Sequence, residues 1–362
     1  MAARTEQDVL DAIERRRRRP HVKLMDEHVT LAHGAGGKST HVLVETLFMK
    51  ELGNPLLEPM GDSASFRLYD EVGPGVAFST DSYVVKPLFF PGGDIGELAV
   101  NGTVNDLAMA GGRPLYLSAG FIIEEGFPTA DLQRVAASMG AAARAAGVAV
   151  VAGDTKVVER GKADGLYVNT SGVATVDHEL ELSPAAIRAG DRVIVSGTLG
   201  DHGMAIMIAR GELELEVDLA SDTAPLHELV ATLLEATGDV RCLRDPTRGG
   251  LATVMCELAM AAELGITLDE DALPVRPEVN GACEILGIDP LYVANEGKLV
   301  AIVSPESTEA SLAALRSHPL GADAAVVGEV RPEPPGMVVL DTAFGGSRVV
   351  DMLAGDPLPR IC

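Results

Sequence analysis

The sequence predicts an α/β fold of two domains followed by a flexible tail. Stretches with the hydrophobic periodicity of strands and of helices alternate along the chain, as they do in α/β proteins. The 362 residues are enough for two domains that each bury a core. The composition, with 47% hydrophobic residues and 39 glycines, is typical of a globular protein and not of a disordered or fibrous one.

The predicted N-terminal domain spans residues 28–180. Helical periodicity runs through residues 94–110, where the apolar side chains form one stripe, and through the alanine-rich segment 131–146. Strand-like segments lie at 78–85, 148–152 and 167–176. The strand at 148–152 is wholly apolar, so we expect it to be buried.

The predicted C-terminal domain spans residues 181–345, because the periodic pattern breaks between 177 and 191. Strands are predicted at 192–196 and 298–303, and helices near 203–210, 225–236 and 249–263. Residues 346–362 are predicted to form a mobile tail. Residues 1–27 form an extension in which Arg15 to Arg19 are five consecutive arginines, a pattern typical of a solvated segment.

The charge balance limits the possible partners. With 53 acidic against 29 basic residues the net charge is −24, which argues against general nucleic-acid binding. An anionic substrate must therefore be met by metal ions or by local donors. No apolar run reaches the roughly 20 residues needed to span a bilayer, and the N-terminus lacks the apolar core of a signal peptide. We expect a cytoplasmic protein.

The four cysteines show no metal-binding spacing, and the last of them ends the chain. Cys242, Cys256 and Cys283 are predicted to be structural, whereas Cys362 follows a segment in which Pro357 and Pro359 oppose helix formation. Eight extended residues reach roughly 26 Å. Two interpretations remain open from position alone: a substrate carrier, or a disordered terminus that happens to end in cysteine.

Five aspartates recur beside glycines or small residues where strands or turns end. They are Asp62, Asp81, Asp106, Asp154 and Asp245. Carboxylate oxygens in such positions suit Mg²⁺, which commonly bridges to substrate phosphates. Each aspartate alone is equally compatible with a turn or a helix cap, but five in one chain favour a metal site.

Two segments predict anion binding. Residues 31–40 form a glycine-rich loop that leads into a helix, with Gly36, Gly37 and Lys38 near its end. The loop lacks the first glycine of a P-loop, so a P-loop NTPase is rejected. Residues 244–250 also enter a helix and place Arg248 near its N-terminus.

Lys156 and Glu296 stand beside apolar strands, where a charged group needs a partner. Each is either a structural ion-pair or turn residue or a catalytic group. His33 and His202 lie in comparable loops and are weaker candidates.

These segments together resemble the AIR synthase-related (PurM-like) ATP-binding superfamily, and within it the carbamoyl dehydratases of hydrogenase maturation. The matching segments are 31–37, 78–94, 105–110, 153–161, 196–203, 244–250, 294–300 and the terminal Pro359-Arg360-Ile361-Cys362. They cover most of the chain from about residue 28. The extension before it departs from the pattern. The implied fold has an N-terminal mixed-sheet, half-barrel domain and a C-terminal α/β domain.

The resemblance implies ATP-dependent dehydration of a carbamoyl group on the terminal thiol to a thiocyanate. Catalysis would use Cys362 as the attachment atom, with Glu296 and Lys156 as candidate bases. ATP would contact Gly36, Gly37, Lys38, Asn105, Asp106, Thr155 and Arg248, and Mg²⁺ would bind the five aspartates. The implied partners are a carbamoyltransferase of the HypF type, iron-carrying maturation proteins of the HypC–HypD type, and a second copy of the chain.

Two other functions stay open at this point. The first is a different ATP-dependent kinase or synthetase of the same superfamily, which would work without Cys362. The second is a non-catalytic scaffold that only docks maturation partners, which would tolerate substitution of Glu296 and Asp81.

Overall fold

The computed structural model describes residues 28–68, 75–211, 217–353 and 361–362, and it confirms the two-domain α/β architecture. Within these residues, each domain is built on one large mixed sheet, of five strands in the N-terminal domain and seven in the C-terminal domain. The chain passes from the first sheet to the second between Val176 and Arg192. The predicted arginine-rich extension lies outside the described residues.

The N-terminal sheet has the strand order β1-β2-β7-β5-β6, and its one parallel pair is β5 with β6. Its strands, with a small ribbon formed by β3 and β4, are β1 (Ala64–Arg67), β2 (Gly75–Tyr83), β3 (Phe89–Phe90), β4 (Gly93–Asp94), β5 (Arg113–Glu124), β6 (Ala149–Val158) and β7 (Leu166–Val176). The strands predicted at 78–85 and 167–176 correspond to β2 and β7. The sequence patterns did not reveal β5.

Helices cover one face of this sheet. A short helical segment precedes the sheet, formed by α1 (Lys38–Leu43), a π-helical turn (Val44–Phe48) and α2 (Met49–Leu52). The two predicted long helices are confirmed as α3 (Ile95–Met109) and α4 (Thr129–Ala145). The side chain of Asp94 caps α3 by accepting hydrogen bonds from the N–H groups of Gly96 and Glu97. Because α3 is buried on almost every side, it fixes Asp106 against β2.

The prediction that residues 148–152 form a buried strand is wrong. The strand exists as β6, but it is the edge strand of the sheet and is exposed along nearly all of its length. Val151 is 62% exposed and Val157 is 61% exposed. An exposed apolar edge strand and a buried strand have the same sequence pattern, so periodicity alone cannot distinguish them.

The C-terminal sheet has the order β14-β13-β10-β12-β8-β11-β9. Its strands are β8 (Arg192–Val195), β9 (Val240–Arg244), β10 (Gly265–Asp269), β11 (Val300–Val303), β12 (Ala325–Arg331), β13 (Val338–Asp341) and β14 (Ser347–Val350). Its helices are α5 (Asp201–Ala209), α6 (His227–Ala236), α7 (Gly250–Ala262), α8 (Pro277–Leu286) and α9 (Thr308–Ser317). The first three helices and the strands β8 and β11 were predicted, whereas α8 and α9 were not.

The two domains share one apolar core, so the cleft between them has a fixed geometry. Tyr83 and Leu98 of the N-terminal domain belong to the same buried cluster as Met204 and Val293 of the C-terminal domain. Burial of such large side chains is the main source of stability at a junction of this kind. Ile361, the penultimate residue of the chain, is also part of this cluster.

The C-terminal tail begins later than the predicted residue 346, because β14 pairs with β13. Beyond β14, Asp351 to Leu353 lie against the glycine-rich loop, and the N–H of Lys38 donates to the carbonyl of Leu353 at 2.8 Å. The predicted tail residues 354–360 lie outside the described residues. None of the helices in the described ranges is both long and apolar enough to cross a membrane.

Candidate active site

Four of the five predicted aspartates converge on a cleft of about 260 Å³ between the domains. Asp62 precedes β1, Asp81 lies in β2, Asp106 lies near the end of α3, and Asp245 follows β9. The wall of the cleft also includes Arg244 and Arg248. Residues far apart in sequence therefore meet because β2, α3 and β9 all reach the domain junction.

Two arginines pair with carboxylates in this cleft. Arg244 Nε lies 2.7 Å from Asp62 Oδ1, and its other end contacts Glu257 at 3.0 Å. Arg248 Nη2 lies 3.1 Å from Asp81 Oδ1. Since two guanidinium groups face at least five acidic side chains here, the cleft keeps an excess of carboxylates.

Burial and mutual repulsion raise the pKa values of these carboxyl groups. The pKa of Asp62 is raised to about 6, chiefly by burial, although Arg244 opposes the shift. The pKa of Asp245 is raised to about 8 by burial and then by Asp62. Burial, Asp245 and Asp62 raise the pKa of Asp106 well above its usual value, even though the Ser79 hydroxyl donates to it. The cleft therefore favours an added positive charge.

The chemistry of this donor set fits a hard divalent cation such as Mg²⁺. Carboxylate oxygens are its preferred protein ligands, and Asp62 Oδ2 is buried without a hydrogen-bond partner. In the described ranges, no group of three or more acidic, histidine or cysteine side chains is already spaced to hold a metal ion. Binding would therefore require the Asp62 and Asp81 side chains to turn from their arginine partners.

Glu296 is a buried carboxylate without a partner for one of its oxygens. It is 3% exposed, and its Oε1 accepts no hydrogen bond. Its backbone is held from two sides: its N–H donates to Asp222 Oδ1 at 3.0 Å, and its carbonyl accepts from Asn105 Nδ2 at 2.9 Å. Burial raises its pKa well above the usual value, with Asp245 and Asp81 adding to the shift. A fixed, basic carboxylate of this kind is suited to accept a proton.

The predicted ATP ligand Asn105 has a different use. Its amide group also donates to the carbonyl of Ala224 at 3.1 Å, and its Oδ1 accepts from the N–H of Leu226 at 2.8 Å. Both amide hydrogens are thus directed at backbone carbonyls. Asn105 thus positions Glu296 and the segment 224–226, and a contact from it to ATP stays a prediction.

The terminal residue Cys362 lies beside Arg248 and Glu296. Arg248 is the basic group that acts most strongly on the thiol, and Glu296 and Asp81 are the acidic groups that act on it. Burial raises the pKa of the Cys362 thiol to about 12, although Arg248 opposes the shift. The thiol is therefore neutral at physiological pH. The chain thus places its last side chain at the carboxylate-rich cleft of its own two domains.

His202, at the start of α5, holds the residue before this cysteine. Its Nε2 lies 2.6 Å from the carbonyl oxygen of Ile361, and its Nδ1 lies 2.8 Å from Ser221 Oγ. The ring is fully buried. His33, the other weak candidate, is buried in a turn with its Nδ1 close to the N–H and hydroxyl of Thr30.

Comparison with known proteins identifies the family to which the chain belongs. Residues 60–176 match the N-terminal domain, and 188–341 the C-terminal domain, of AIR synthase related proteins. The carbamoyl dehydratase HypE of Bradyrhizobium diazoefficiens is 56% identical over 335 residues, which cover 92% of this chain and 96% of that protein. The chain belongs to the HypE family of carbamoyl dehydratases.

Solved HypE structures have the same fold. A crystal structure of a HypE–HypF complex matches with a TM-score of 0.81 at 46% identity, covering 86% of this chain and 99% of that one. A HypE structure in complex with ATP matches with a TM-score of 0.77 at 48% identity, covering 92% and 100% of the two chains. Both likenesses extend over nearly the whole HypE protein.

The glycine-rich loop of this HypE-family chain contacts the root of the tail. Gly36 has φ +79°, and a Cβ at this position would lie 2.7 Å from Arg248 Cβ. A Cβ on Gly37 would lie 2.2 Å from the carbonyl oxygen of Leu353, and Lys38 pairs with Asp351. The loop residues predicted to bind ATP thus hold the tail, and a phosphate contact from them stays a prediction.

A larger cavity of about 820 Å³ adjoins the acidic cleft. The two share Gly36, Thr40, Asp62, Arg244 and Glu257. The larger one is lined further out by apolar residues such as Val44 and Leu258. An apolar chamber that opens onto a carboxylate-rich cleft offers separate places for the purine base of a nucleotide and for its metal-bound phosphates.

Within a single chain, Asp154, Thr155 and Lys156 lie apart from the other predicted site residues, and their part in the site stays a prediction. All three are exposed on the edge strand β6. Asp81 is in register with Gly153 across β7 and β5, so three strand spacings, about 14 Å, separate them. Asp154 and Lys156 alternate with Gly153 and therefore point to the opposite face of the sheet from Asp81.

Sequence reasoning missed several residues that shape the site. Arg244 pairs with Asp62, and Asp222, which is 4% exposed, forms a buried ion pair with Lys298 at 3.1 Å. Ser221 holds His202. The signal for Ser221 and Asp222 is weak, since a Ser-Asp-Thr segment before a helix is typical of an ordinary cap.

Proposed function

We propose that this chain dehydrates a carbamoyl group carried on its own Cys362 to a thiocyanate, with ATP as the activating substrate, and thereby supplies cyanide ligands for [NiFe]-hydrogenase iron. The observation that carries the proposal is the position of the terminal thiol beside Arg248 and Glu296, at the edge of the acidic cleft. HypE family membership supports the reaction class.

The proposed reaction balances without an oxidant or a reductant. The carbamoyl oxygen attacks the γ-phosphorus of ATP, and the bond from this phosphorus to ADP breaks. One proton leaves the nitrogen, which gives an imidate phosphate. Loss of the second proton forms the C≡N triple bond while the C–O bond breaks, and the oxygen departs in phosphate. The products are the thiocyanate, ADP, phosphate and one released proton.

Glu296 and Arg248 have distinct roles in this scheme. Glu296 accepts protons from the nitrogen, because its Oε1 is without a partner and its pKa is raised. Arg248 lies against Cys362 and donates to the negative charge that develops on the transferred group. Fixing Glu296 through Asp222 and Asn105 keeps the base in place without reorganisation.

ATP binding is supported by the HypE structure that contains ATP. We place the adenine base of ATP in the apolar chamber and its phosphates in the acidic cleft, where Asp62, Asp81, Asp106 and Asp245 would hold Mg²⁺. When bound, the ion supplies charge neutralisation for the triphosphate. Arg244 then remains paired with Glu257, which keeps a cation at the rim of the cleft.

Loading of Cys362 takes place elsewhere. Attack requires a thiolate, and the raised pKa of the docked thiol makes it a poor nucleophile. A partner carbamoyltransferase of the HypF type would therefore load the undocked tail. That a HypE relative forms a complex with HypF supports this choice of partner. An iron-carrying complex of the HypC–HypD type would accept the cyano group in a later step.

We also propose a homodimer that pairs the N-terminal sheets. Six exposed hydrophobic side chains lie on β2, β5 and β6: Phe78, Tyr116, Ile122, Val150, Val151 and Val157. β6 also leaves one side of its backbone unpaired, and natural proteins rarely leave such an apolar edge uncovered. A second copy against this edge would bring Asp154 and Lys156 into an assembled interface.

Intact-protein mass spectrometry tests the reaction. The chain is incubated with the carbamoyltransferase, carbamoyl phosphate and MgATP. We expect Cys362 to gain a carbamoyl group and then to lose the mass of one water only when ATP is present. A carbamoylated tail that never loses water contradicts the proposal. ATP turnover on an added small molecule after Cys362→Ser would instead favour a kinase or synthetase.

A further inference from the structure

The buried pair His202 and Ser221 makes a specific contact with the backbone of the tail. The carbonyl oxygen of Ile361 can only accept, so His202 Nε2 carries the hydrogen in the 2.6 Å contact. In a neutral ring Nδ1 is then the acceptor, and the Ser221 hydroxyl donates to it at 2.8 Å. The pKa of His202 is lowered by burial, in agreement with a neutral ring.

The ring has little freedom to move. Phe90 packs edge-on against it, with ring centroids 5.8 Å apart and an interplanar angle of 89°. Ser221 is held as well: its N–H donates to the carbonyl of Pro91 at 2.8 Å, and its Oγ accepts from the N–H of Thr223 at 3.1 Å. The donor that meets Ile361 is thus held in place by contacts outside the tail.

The same segment also fixes the base. Asp222, next to Ser221, accepts from the N–H of Glu296 at 3.0 Å and pairs with Lys298. The adjacent residues Ser221 and Asp222 therefore fix the distance between His202, which contacts the tail, and Glu296, the proposed proton acceptor. Because Ile361 precedes Cys362 directly, fixing its carbonyl limits where the Cys362 sulfur can lie.

We propose that His202, oriented by Ser221, is a positioning residue that docks the tail by recognising the Ile361 backbone carbonyl, while the Ile361 side chain fills the adjoining apolar core. The inference rests on the proposed function only for its catalytic consequence. Docking itself is a binding equilibrium of the tail and requires neither ATP nor a carbamoyl group.

The test follows alkylation of Cys362 by N-ethylmaleimide in the full-length chain, read by peptide mass spectrometry. Docking protects the thiol, so His202→Ala should raise the alkylation rate about tenfold, because one hydrogen bond is lost and a carbonyl is left unsatisfied. His202→Gln keeps a donor at a similar reach and should give an intermediate rate. Ser221→Ala should give a smaller increase of roughly threefold.

His178 supplies a matched control. Its Nε2 also contacts a backbone carbonyl, that of Ala110, at 3.1 Å, and its Nδ1 accepts from the N–H of Leu180 at 3.2 Å. His178→Ala should leave the alkylation rate of Cys362 unchanged. If His202→Ala does not fold, Ile361→Ala carries the test, since it alters only the tail, and it should raise the rate by a similar factor.

The catalytic arm is separate. With the tail already carbamoylated, His202→Ala should lower kcat for dehydration and leave the KM for ATP unchanged. Wild-type alkylation rates in both His202→Ala and Ile361→Ala would overturn the proposal. So would slow dehydration with unchanged protection, because His202 would then act in the chemistry alone. Protection without any dehydration in the wild-type chain would contradict the proposed function and leave docking standing.

Discussion

At the scale of single residues, the site contains carboxyl groups whose ionised form is disfavoured by burial and by neighbouring carboxylates. Glu296 is buried with an oxygen that has no partner, and Asp245 and Asp62 are crowded together in the cleft. Such groups lower stability and persist where chemistry needs them. Their raised pKa values lead to two predictions.

Glu296→Gln should abolish dehydration and leave loading of Cys362 intact, because glutamine cannot accept the nitrogen proton. The expected loss is about a hundredfold or more. In the wild-type chain the rate of dehydration should still rise with pH above the range in which an ordinary glutamate, with a pKa of about 4.3, becomes ionised. The reason is that the raised pKa of Glu296 shifts its deprotonation to higher pH. Single-turnover mass spectrometry measures both effects. Exposed Glu284→Gln is the control, and equal rates for the two variants contradict the assigned role.

Asp245→Asn should make stability less dependent on pH. The pKa of Asp245 is about 8 in the folded chain and about 3.9 when unfolded, so the folded state binds its proton more tightly. Its stabilising contribution is full below the unfolded pKa and is lost as the pH rises through the folded one.

Thermal unfolding in a buffer with a chelator measures this effect. The wild-type Tm should fall between about pH 5 and pH 8.5, with Asp62 adding to the slope through its own raised pKa. Asp245→Asn should show a shallower fall. Parallel curves for the two chains would mean that Asp245 titrates normally.

At the scale of elements, the site residues lie on strands, on helices and on the loops between them, and contacts between loops fix these elements relative to one another. The glycine-rich loop packs on Arg248 through Gly36 and on the tail root through Gly37. The segment 221–226 fastens both His202 and Glu296. These loop contacts link elements that are remote in sequence, so no local sequence pattern could predict them.

Gly37→Ala should release the root of the tail. The added Cβ would lie 2.2 Å from the Leu353 carbonyl oxygen, so the bond from the Lys38 N–H to that oxygen cannot persist. We expect faster removal of C-terminal residues by carboxypeptidase. Gly34→Ala in the same loop is the control, since a Cβ there meets nothing within 4 Å. Equal digestion of the two variants would contradict the role of this contact.

Helices and strands were predicted correctly from the sequence where the hydrophobic periodicity was strong. The prediction failed where the burial of a strand depends on which strands lie beside it. The ends of α3 and α4 were predicted to within two residues, because helical periodicity is read from one continuous segment. β6 was found as a strand, but its exposure depends on its place at the sheet edge. Asp154 and Lys156 lie on this edge strand, so a single chain does not bring them to the other predicted site residues. Cys362 and Glu296 were singled out chiefly through the family resemblance, and their catalytic roles stay predictions.

At the scale of the whole molecule, the two domains and the tail form one catalytic arrangement. The shared core fixes the cleft, and Ile361 is part of that core. A tail end that packs in a domain junction is compatible with repeated docking and release, because only a few side chains are involved. The N-terminal sheet leaves a second surface open, at β6.

Val151→Lys should convert a homodimer into a monomer, because a charge would replace an apolar side chain at the proposed interface. Analytical ultracentrifugation measures the change. Ile285→Lys is a matched control, since Ile285 on α8 is 62% exposed, as is Val151. A monomeric wild-type chain, or a Val151→Lys variant that remains dimeric, contradicts the proposed pairing.

The fate of the carbamoyl oxygen tests the central claim most directly. The tail is loaded with a carbamoyl group that carries heavy oxygen, and MgATP is added in ordinary water. Activation by phosphoryl transfer predicts one heavy oxygen in inorganic phosphate for each thiocyanate formed on Cys362. Thiocyanate formation with the label in water, and none in phosphate, would contradict the account.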